Sequence, residues 1–192
     1  MFDYLRNHIA PKNLKILDWG CGPARIIRHL PSFFQDGCSF YASDYNAKTI
    51  QWCKKNIENV SFSINELAPP SGFQSGFFDL VYAFSIITHL SEELHEKWIN
   101  EIRLTLKPGG FLLITTQGKA FREKLTAGEQ IQFDNNELVV RSDMREGHRV
   151  YSAFQPEKYM DQLFHGFEVV DHIKPQGTAN KPEQDIWLVK KL

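Results

Sequence analysis

Short apolar runs alternate with longer amphipathic stretches along this chain. Runs with the length and composition of buried strands lie at Lys15–Asp18, Cys38–Asp44, Val60–Ile64, Phe77–Phe84, Phe111–Thr116, Phe167–Ile173 and Asp185–Lys190. Helices are predicted at Phe2–Ala10, Asn46–Glu58, Ser91–Leu106 and Pro156–His165. In the longest helix, a buried stripe at helical spacing is formed by Leu94, Trp98, Ile102 and Leu106. The pattern predicts that strands and helices alternate over most of the chain.

The stretch Ile16–Arg25 interrupts this pattern with Ile-Leu-Asp-Trp-Gly-Cys-Gly-Pro-Ala-Arg. Gly20 and Gly22 have no Cβ, so the backbone there can turn sharply and approach a ligand closely. Pro23 suits the first position of a helix, where its missing N–H is not needed. That helix would carry Ile26, Ile27 and Leu30 on one face. A strand, a glycine turn and a helix in this order predict a ligand-binding crevice at the carboxyl end of a parallel strand.

The residues around these glycines limit the kind of ligand. A dinucleotide fingerprint needs a small residue three positions after the second glycine, where this chain has Arg25. The Gly-Lys-Ser/Thr sequence of a phosphate-binding P-loop is also absent. Asp18, two residues before the first glycine, would repel a pyrophosphate but would attract an ammonium group. The crevice is therefore predicted to bind a ligand that carries an ammonium group rather than a dinucleotide.

Composition and charge narrow the class of protein and its partners. The 192 residues are 42% hydrophobic and 23% charged, which is ordinary for one soluble globular domain. The formal net charge of −1 attracts no polyanion, so we expect no nucleic-acid partner. The three cysteines form no Cys-x-x-Cys pair, which argues against a metal site or disulfides and favours the reducing cytoplasm. We find no signal peptide and no apolar run long enough for a membrane span.

The segment that begins at Gly118 is too long for a simple connection between a strand and a helix. Short extended pieces are predicted within it at Gln130–Phe133, Glu137–Arg141 and Arg149–Phe154, with turns at residues 135–136 and 146–147. We interpret residues 118–154 as a β-rich flap that closes over the substrate, within a single domain of residues 1–192. A surface insertion without function is the alternative.

Two parts of the chain resemble a known family. Residues 18–24 match its motif acid-x-Gly-x-Gly-x-Gly, with Ala24 at the third glycine. The helix Ser91–Leu106, the turn Lys107-Pro108-Gly109-Gly110 and the apolar strand after it follow the same family's order. From Lys15 to its C-terminus, the chain resembles the class I S-adenosylmethionine-dependent methyltransferases. The resemblance implies an α/β fold: a three-layer α/β/α Rossmann-like sandwich with a mostly parallel seven-stranded sheet, whose antiparallel last strand inserts beside the fifth.

The resemblance also implies S-adenosylmethionine as the cofactor. Asp44, at the tip of the second strand, would accept both ribose hydroxyls with its two oxygens; capping of the next helix is the alternative role. Tyr45 and Asn46 would line the same pocket. Asn65 and Glu66 would approach the adenine, or form an ordinary polar exit from the third strand. The other cofactor contacts that the resemblance implies are Asp18, Gly20, Cys21, Gly22, Arg25 and Phe84.

Three further pieces resemble bacterial methyltransferases associated with glycosyltransferases and polysaccharide synthesis. They are Thr88–Glu93, Thr115–Gly118 and Gln184–Leu188. The resemblance implies a small-molecule or glycan acceptor that is methylated at oxygen. Histidine is common in that group where Gln117 and Gln155 stand here, so substrate contacts do not transfer residue by residue.

Methyl transfer from a sulfonium is a direct displacement that requires no metal, but an oxygen acceptor must lose its proton to a base. His89 is the candidate catalytic base, because it follows the fourth strand and imidazole titrates near neutral pH. Packing against the helix that begins at Ser91 is its alternative role. Tyr151 and His148 in the flap are candidate substrate contacts, and His95 is expected to face solvent.

Other functions stay open at this stage. A non-catalytic S-adenosylmethionine-binding module in a glycan-assembly complex would bind the cofactor without transferring methyl groups. A nucleotide-binding oxidoreductase is disfavoured by Arg25, and nucleic-acid methylation by the near-neutral charge. The N-terminal segment before Lys15 is short for this family. We therefore expect the chain to be part of a larger polypeptide or to act with a partner chain.

Overall fold

The computed structural model describes residues 2–34, 37–142, 146–148, 150–175, 177–178 and 181–192. Its strands are β1 (Lys15–Trp19), β2 (Ser39–Asp44), β3 (Ser61–Ile64), β4 (Phe78–Ala83), β5 (Leu106–Thr116), β6 (Val139–Arg141), β7 (Ser152–Phe154), β8 (Phe167–Ile173) and β9 (Asp185–Lys191). Its α-helices are α1 (Phe2–Leu5), α2 (Leu30–Phe33), α3 (Ala47–Asn56), α4 (Glu92–Thr105), α5 (Ala127–Asp134) and α6 (Glu157–Leu163).

Seven strands form one sheet in the order β3-β2-β1-β4-β5-β9-β8. The pairs among β1 to β5 are parallel, and β9 is antiparallel to both of its neighbours, β5 and β8. The predicted fold is confirmed, including the insertion of the last strand beside the fifth. The strand order reverses at β1, which has β2 on one side and β4 on the other. Ligands of open α/β sheets bind at such a point, outside the carboxyl ends of the strands.

Helices cover both faces of the sheet. On one face, α4 and α6 bury Trp98 and Met160 against the sheet. On the other face, the residues that follow the glycine turn and helix α3 bury Ile27, Leu30 and Ile50. This gives the predicted three layers. Within the described residues, no helix combines the length and the apolar character needed to cross a membrane.

The chain after the glycine turn departs from the predicted helix. Residues 22–26 form turns, a 3₁₀ turn follows at Ile27–His29, and the α-helical part starts only at Leu30. Ala24 is the cause, because its φ of +56° is left-handed and cannot belong to a right-handed helix. The predicted helix with Pro23 at its first position is therefore wrong, although Ile27 and Leu30 are buried as expected.

The predicted N-terminal helix is also too long. It ends at Leu5 rather than at residue 10. The turn predicted at Lys107–Gly110 belongs to the irregular start of β5, where the register with β4 shifts and Gly109 has a φ of +74°. Helix α6 begins after Pro156, which occupies the N-cap position.

The segment 118–154 contains more helix than predicted. Gln130–Phe133 lies in helix α5 rather than in a strand, so that prediction is wrong. A capping box begins α5: Thr126 accepts a hydrogen bond from the Glu129 amide, and the Glu129 carboxylate accepts one from the Thr126 amide. Strands β6 and β7 form the expected antiparallel pair. The predicted start of the last extended piece, Arg149, lies outside the described residues.

His95 is buried, which contradicts the expectation that it faces solvent. Its Nε2 donates to the Ile87 carbonyl oxygen at 2.5 Å, and its Nδ1 accepts from the Tyr159 hydroxyl at 2.9 Å. Burial lowers the pKa of His95 to about 4, so the imidazole is neutral. It ties helix α4 to the 3₁₀ turn Ile87–His89 and therefore helps to place His89.

Candidate functional site

Two cavities open at the carboxyl ends of the central strands, and Gly20 lines both of them. The Asp44 cavity is lined by residues that include Asp44, Tyr45, Asn65, Glu66, His89 and Gly147. The Asp18 cavity is lined by Asp18, Cys21, Arg25, Ile26 and Phe84. Most of the predicted cofactor contacts thus line one crevice at the point where the strand order reverses. The chain requires glycine at position 20, because its φ is +77° and a Cβ there would overlap the side chain of Ile86.

Asp44 joins the glycine turn to the end of β2. Its Oδ2 accepts from the Gly22 amide at 2.9 Å, and its Oδ1 accepts from the Asn46 amide at 2.8 Å. A carboxylate has about four lone-pair sites, so each oxygen can still accept a second hydrogen bond. The side chain is 8% exposed and lines the cavity. A rigid carboxylate with two free acceptor sites can bind two neighbouring hydroxyl groups.

Asn65 supplies an unpaired polar atom to the same cavity. Its Nδ2 donates to the Glu66 carbonyl oxygen at 2.7 Å, whereas its buried Oδ1 has no partner among the described residues. Because an unpaired buried acceptor is costly, this oxygen is suited to accept from a ligand. Tyr45 also lines this cavity, and its hydroxyl donates to the Gly147 carbonyl oxygen at 3.0 Å. Residues from β2, β3 and the segment 118–154 therefore meet around one cavity.

Asp18 and Arg25 bring opposite charges to the Asp18 cavity. Asp18 is 4% exposed and accepts a hydrogen bond from the Tyr82 hydroxyl. Burial, together with the nearby Asp44 carboxylate, raises the pKa of Asp18 to about 7, although the Tyr82 hydrogen bond opposes the shift. Arg25 is exposed and makes no hydrogen bond or ion pair within the described residues. A ligand that carries both an ammonium and a carboxylate would complement this pair.

His89 lines the Asp44 cavity in a defined tautomer. Its Nδ1 lies 2.7 Å from the Tyr151 carbonyl oxygen, which can only accept, so Nδ1 carries the hydrogen. The neutral ring then has its lone pair on Nε2, which is the form that a base requires. The His89 carbonyl oxygen accepts from the Gly147 amide at 2.8 Å, so the turn at 146–147 also contacts this residue.

Four predicted contacts lie outside the two cavities. Gly22 lines neither of them, and its amide donates to Asp44 Oδ2. Asn46 caps helix α3, since its side chain accepts from the Thr49 amide at 3.1 Å. His148 is exposed, and its Nδ1 accepts from the Val150 amide at 3.3 Å. Tyr151 is 5% exposed and meets the site through its carbonyl oxygen rather than through its hydroxyl. Ligand contacts by these four residues stay predictions.

A polar cluster that the sequence did not predict lies beside the crevice. Ser85 follows β4, Thr115 lies near the end of β5 and Gln184 precedes β9. Hydrogen bonds of 2.7–2.8 Å join these three residues. The three residues are distant in sequence. Thr115 and Gln184 lie in pieces that resemble polysaccharide-associated methyltransferases, but Ser85 lies in none, and no motif indicates that the three meet.

The geometry agrees with the comparisons to known proteins. Residues 16–110 match a family model described as a methyltransferase domain. This chain therefore contains a methyltransferase domain. An S-adenosylmethionine-dependent methyltransferase from Methanosarcina mazei has the same fold, with a TM-score of 0.73 at 19% identity over 100% of this chain and 98% of that one. The name of that neighbour gives S-adenosylmethionine as its cofactor.

Two curated relatives are larger proteins. The methyltransferase is 32% identical over 106 residues to a tRNA (carboxymethyluridine(34)-5-O)-methyltransferase from Arabidopsis thaliana. That match covers 55% of this chain and 24% of the relative. This chain is also 26% identical over 156 residues to a tRNA N(3)-cytidine methyltransferase from Danio rerio. That second match covers 77% of this chain and 43% of the relative. The chain thus spans less than half the length of the curated relatives it matches.

Proposed function

We propose that this methyltransferase transfers a methyl group from S-adenosylmethionine to an oxygen atom of a small-molecule or glycan acceptor. One observation carries the proposal: a carboxylate with two free acceptor sites, Asp44, lies one cavity away from the oppositely charged pair Asp18 and Arg25. This arrangement matches two groups of the cofactor, the ribose diol and the amino acid. The acceptor class rests on the resemblance of residues 88–93, 115–118 and 184–188 to polysaccharide-associated methyltransferases.

The residues of the crevice fit the cofactor group by group. Asp44 would accept from both ribose hydroxyls, and the unpaired Oδ1 of Asn65 would accept from the adenine amino group. Asp18 would bind the ammonium and Arg25 the carboxylate. When bound, S-adenosylmethionine supplies an electrophilic methyl group. The protein contributes orientation of the reactants, which is worth roughly 7–11 kcal/mol in well-oriented systems.

His89 would act as the general base in this proposal. The Tyr151 carbonyl oxygen fixes the Nδ1–H tautomer, so Nε2 can accept the proton that the acceptor hydroxyl loses. We further propose that residues 118–154 cover the acceptor, because Tyr151 and Gly147 of this segment both contact His89. The Ile87 carbonyl oxygen accepts from His95 Nε2 and from Gln155 Nε2, and these two bonds would hold the 3₁₀ turn in place.

RNA is the second candidate acceptor, because both curated relatives are named as tRNA methyltransferases. The formal net charge of −1 favours the smaller acceptor, since a polyanion is bound chiefly through excess positive charge. A non-catalytic cofactor-binding module is the third candidate, as it needs the crevice but no acceptor.

Transfer of tritium from methyl-labelled S-adenosylmethionine separates these candidates. The protein would be incubated in parallel with nucleotide sugars, with bacterial polysaccharide and with unmodified tRNA. We expect label in one of the two carbohydrate fractions and none in tRNA. Label in tRNA alone would overturn the proposed acceptor class. Cofactor binding by calorimetry without labelling of any fraction would support the non-catalytic module.

Cofactor affinity is expected to rise with pH up to about 7 and then to level off. Asp18 must be ionised to bind an ammonium, and its raised pKa of about 7 means that below this pH a proton must first leave. Affinity should therefore fall up to about tenfold for each pH unit below 7. Calorimetry with S-adenosylhomocysteine between pH 5.5 and 8.5 measures this, and buffers of different ionisation enthalpy count the released proton.

Asp18→Asn is the control for this titration. Its affinity should be low and nearly independent of pH, because no proton is displaced. The stability of the ligand-free protein should change with pH in the opposite direction to the affinity. Because the pKa of Asp18 is raised in the folded state, the stability that this group contributes below pH 3.8 is lost as the pH rises through about 7. Constant affinity of the unaltered protein between pH 6 and 8 would contradict the assignment of Asp18.

A further inference from the structure

The polar cluster of Ser85, Thr115 and Gln184 lines neither of the two cavities. Ser85 follows β4, Thr115 lies near the end of β5, and Gln184 directly precedes β9. The Ser85 amide donates to Thr115 Oγ1 at 2.8 Å, and the hydroxyls of Ser85 and Thr115 both donate to Gln184 Oε1 at 2.7 Å. Three adjacent strand ends are thus joined by one hydrogen-bonded group.

The Gln184 amide has its oxygen toward the Ser85 and Thr115 hydroxyls. Thr115 Oγ1 already accepts from the Ser85 amide, so its hydrogen is available to Gln184, and the Ser85 hydroxyl donates to the same oxygen. The Gln184 oxygen therefore faces the cluster. Its NH₂ group, with two donors, has no partner among the described residues. Ser85 Oγ likewise keeps free acceptor capacity.

The backbone of Ser85 is strained at this point. Its φ of +58° is left-handed, a conformation that is unfavourable for a residue with a side chain. The bond from its amide to Thr115 and the bond from Thr88 Oγ1 to its carbonyl, at 2.9 Å, hold this conformation. Strain of this kind persists where surrounding contacts impose it, and it is concentrated at functional sites.

The cluster lies beside the crevice and can be reached from solvent. Ser85 directly follows Phe84, which lines the Asp18 cavity. Ser85 and Gln184 are partly exposed, whereas Thr115 is 4% exposed and hydrogen-bonds to both of them from the buried side. The cluster contains no charged side chain. The next residue, Asp185, is instead bonded to His172 Nε2 at 2.9 Å.

We propose that the Gln184 NH₂ group and Ser85 Oγ form an acceptor-binding subsite for adjacent hydroxyl groups of an uncharged polyol, such as a sugar ring. One ligand oxygen would accept from Gln184, and the neighbouring hydroxyl would donate to Ser85 Oγ. An uncharged pair of one donor and one acceptor matches hydroxyls, which can do both, better than it matches a phosphate or an amine. This subsite rests on the proposed function, since it would hold the acceptor beside the cofactor.

Gln184→Glu is the informative variant. A carboxylate can still accept from Ser85 and Thr115, so the cluster is retained, but both donors are lost. Gln162→Glu, at an exposed position of helix α6, is the matched control for added charge. The probes are methyl α-D-glucopyranoside and myo-inositol, titrated by saturation-transfer NMR into the protein saturated with S-adenosylhomocysteine. Calorimetry of S-adenosylhomocysteine itself is measured on each variant.

We expect at least one probe to bind the unaltered protein and the Gln162→Glu control equally. Gln184→Glu should weaken the binding of that probe at least fivefold and should change the affinity for S-adenosylhomocysteine less than twofold. Gln184→Leu should weaken it as well. Failure of both probes to bind, or equal binding by Gln184→Glu, would overturn the subsite while the proposed function stands. If the unaltered protein does not bind S-adenosylhomocysteine, the proposed function is overturned and the subsite with it.

Discussion

Replacing Asp44 with alanine should weaken the binding of S-adenosylhomocysteine at least a hundredfold. Each hydrogen bond to a charged group contributes about 1.5–3 kcal/mol, and the variant loses two of them to the ribose. A hundredfold change corresponds to about 2.7 kcal/mol, so this is the lower limit of the expected effect. Isothermal calorimetry at pH 8, where Asp18 is ionised, measures it directly.

Part of the effect would act through the glycine turn. Asp44 also accepts from the amides of Gly22 and Asn46, so alanine leaves both donors without this partner. Asp161→Ala removes an exposed carboxylate from helix α6 and controls for the loss of charge. Thermal unfolding of both variants separates loosening of the turn from lost ligand contacts. Unchanged affinity in a folded Asp44→Ala protein would disprove the ribose assignment.

Replacing His89 with alanine should lower turnover about 10²- to 10⁴-fold, the usual contribution of a general base. Affinity for S-adenosylhomocysteine should change much less. His89→Asn is the sharper variant, because its amide can still donate to the Tyr151 carbonyl oxygen but has no counterpart of the basic Nε2. Initial rates of tritium transfer to the acceptor, compared with calorimetry, separate catalysis from binding.

His165→Ala is the matched control, since this histidine is exposed after helix α6 and away from both cavities. It should turn over like the unaltered protein. Recovery of full turnover by His89→Asn would show that the role of His89 is to hold the segment 118–154 rather than to accept a proton. Equal turnover in His89→Ala and the unaltered protein would exclude both roles.

Much of the fold could be predicted because its signals are local. An apolar run that ends in an acid places Asp44 at a strand tip whatever surrounds it, and β2 ends at that residue. The buried stripe of α4 follows from helical spacing, and Leu94, Trp98 and Ile102 are all buried. One local signal was overlooked. Thr126 and Glu129 have the spacing of a capping box, which would have identified α5 as a helix.

Other features could not be predicted because they depend on partners that are distant in sequence. His95 is buried because Tyr159, 64 residues later, packs over it and takes part in a hydrogen bond. Ala24 prevents the predicted helix through a left-handed φ, a conformation that alanine rarely adopts and that no propensity indicates. For His95, a tertiary contact overrides the local preference.

The sequence by itself determined the succession of strands and helices, the glycine turn and the acids at the ends of β1 and β2. These features depend on side-chain periodicity and on residues a few positions apart. The tertiary structure alone decided that Asp18 shares a cavity with Arg25 and that His89 has its hydrogen on Nδ1. It also brought Ser85, Thr115 and Gln184 together across 99 positions of the chain. The order of the strands decides which of these residues lie close together, because their hydrogen bonds form only when the sheet places the strand ends side by side.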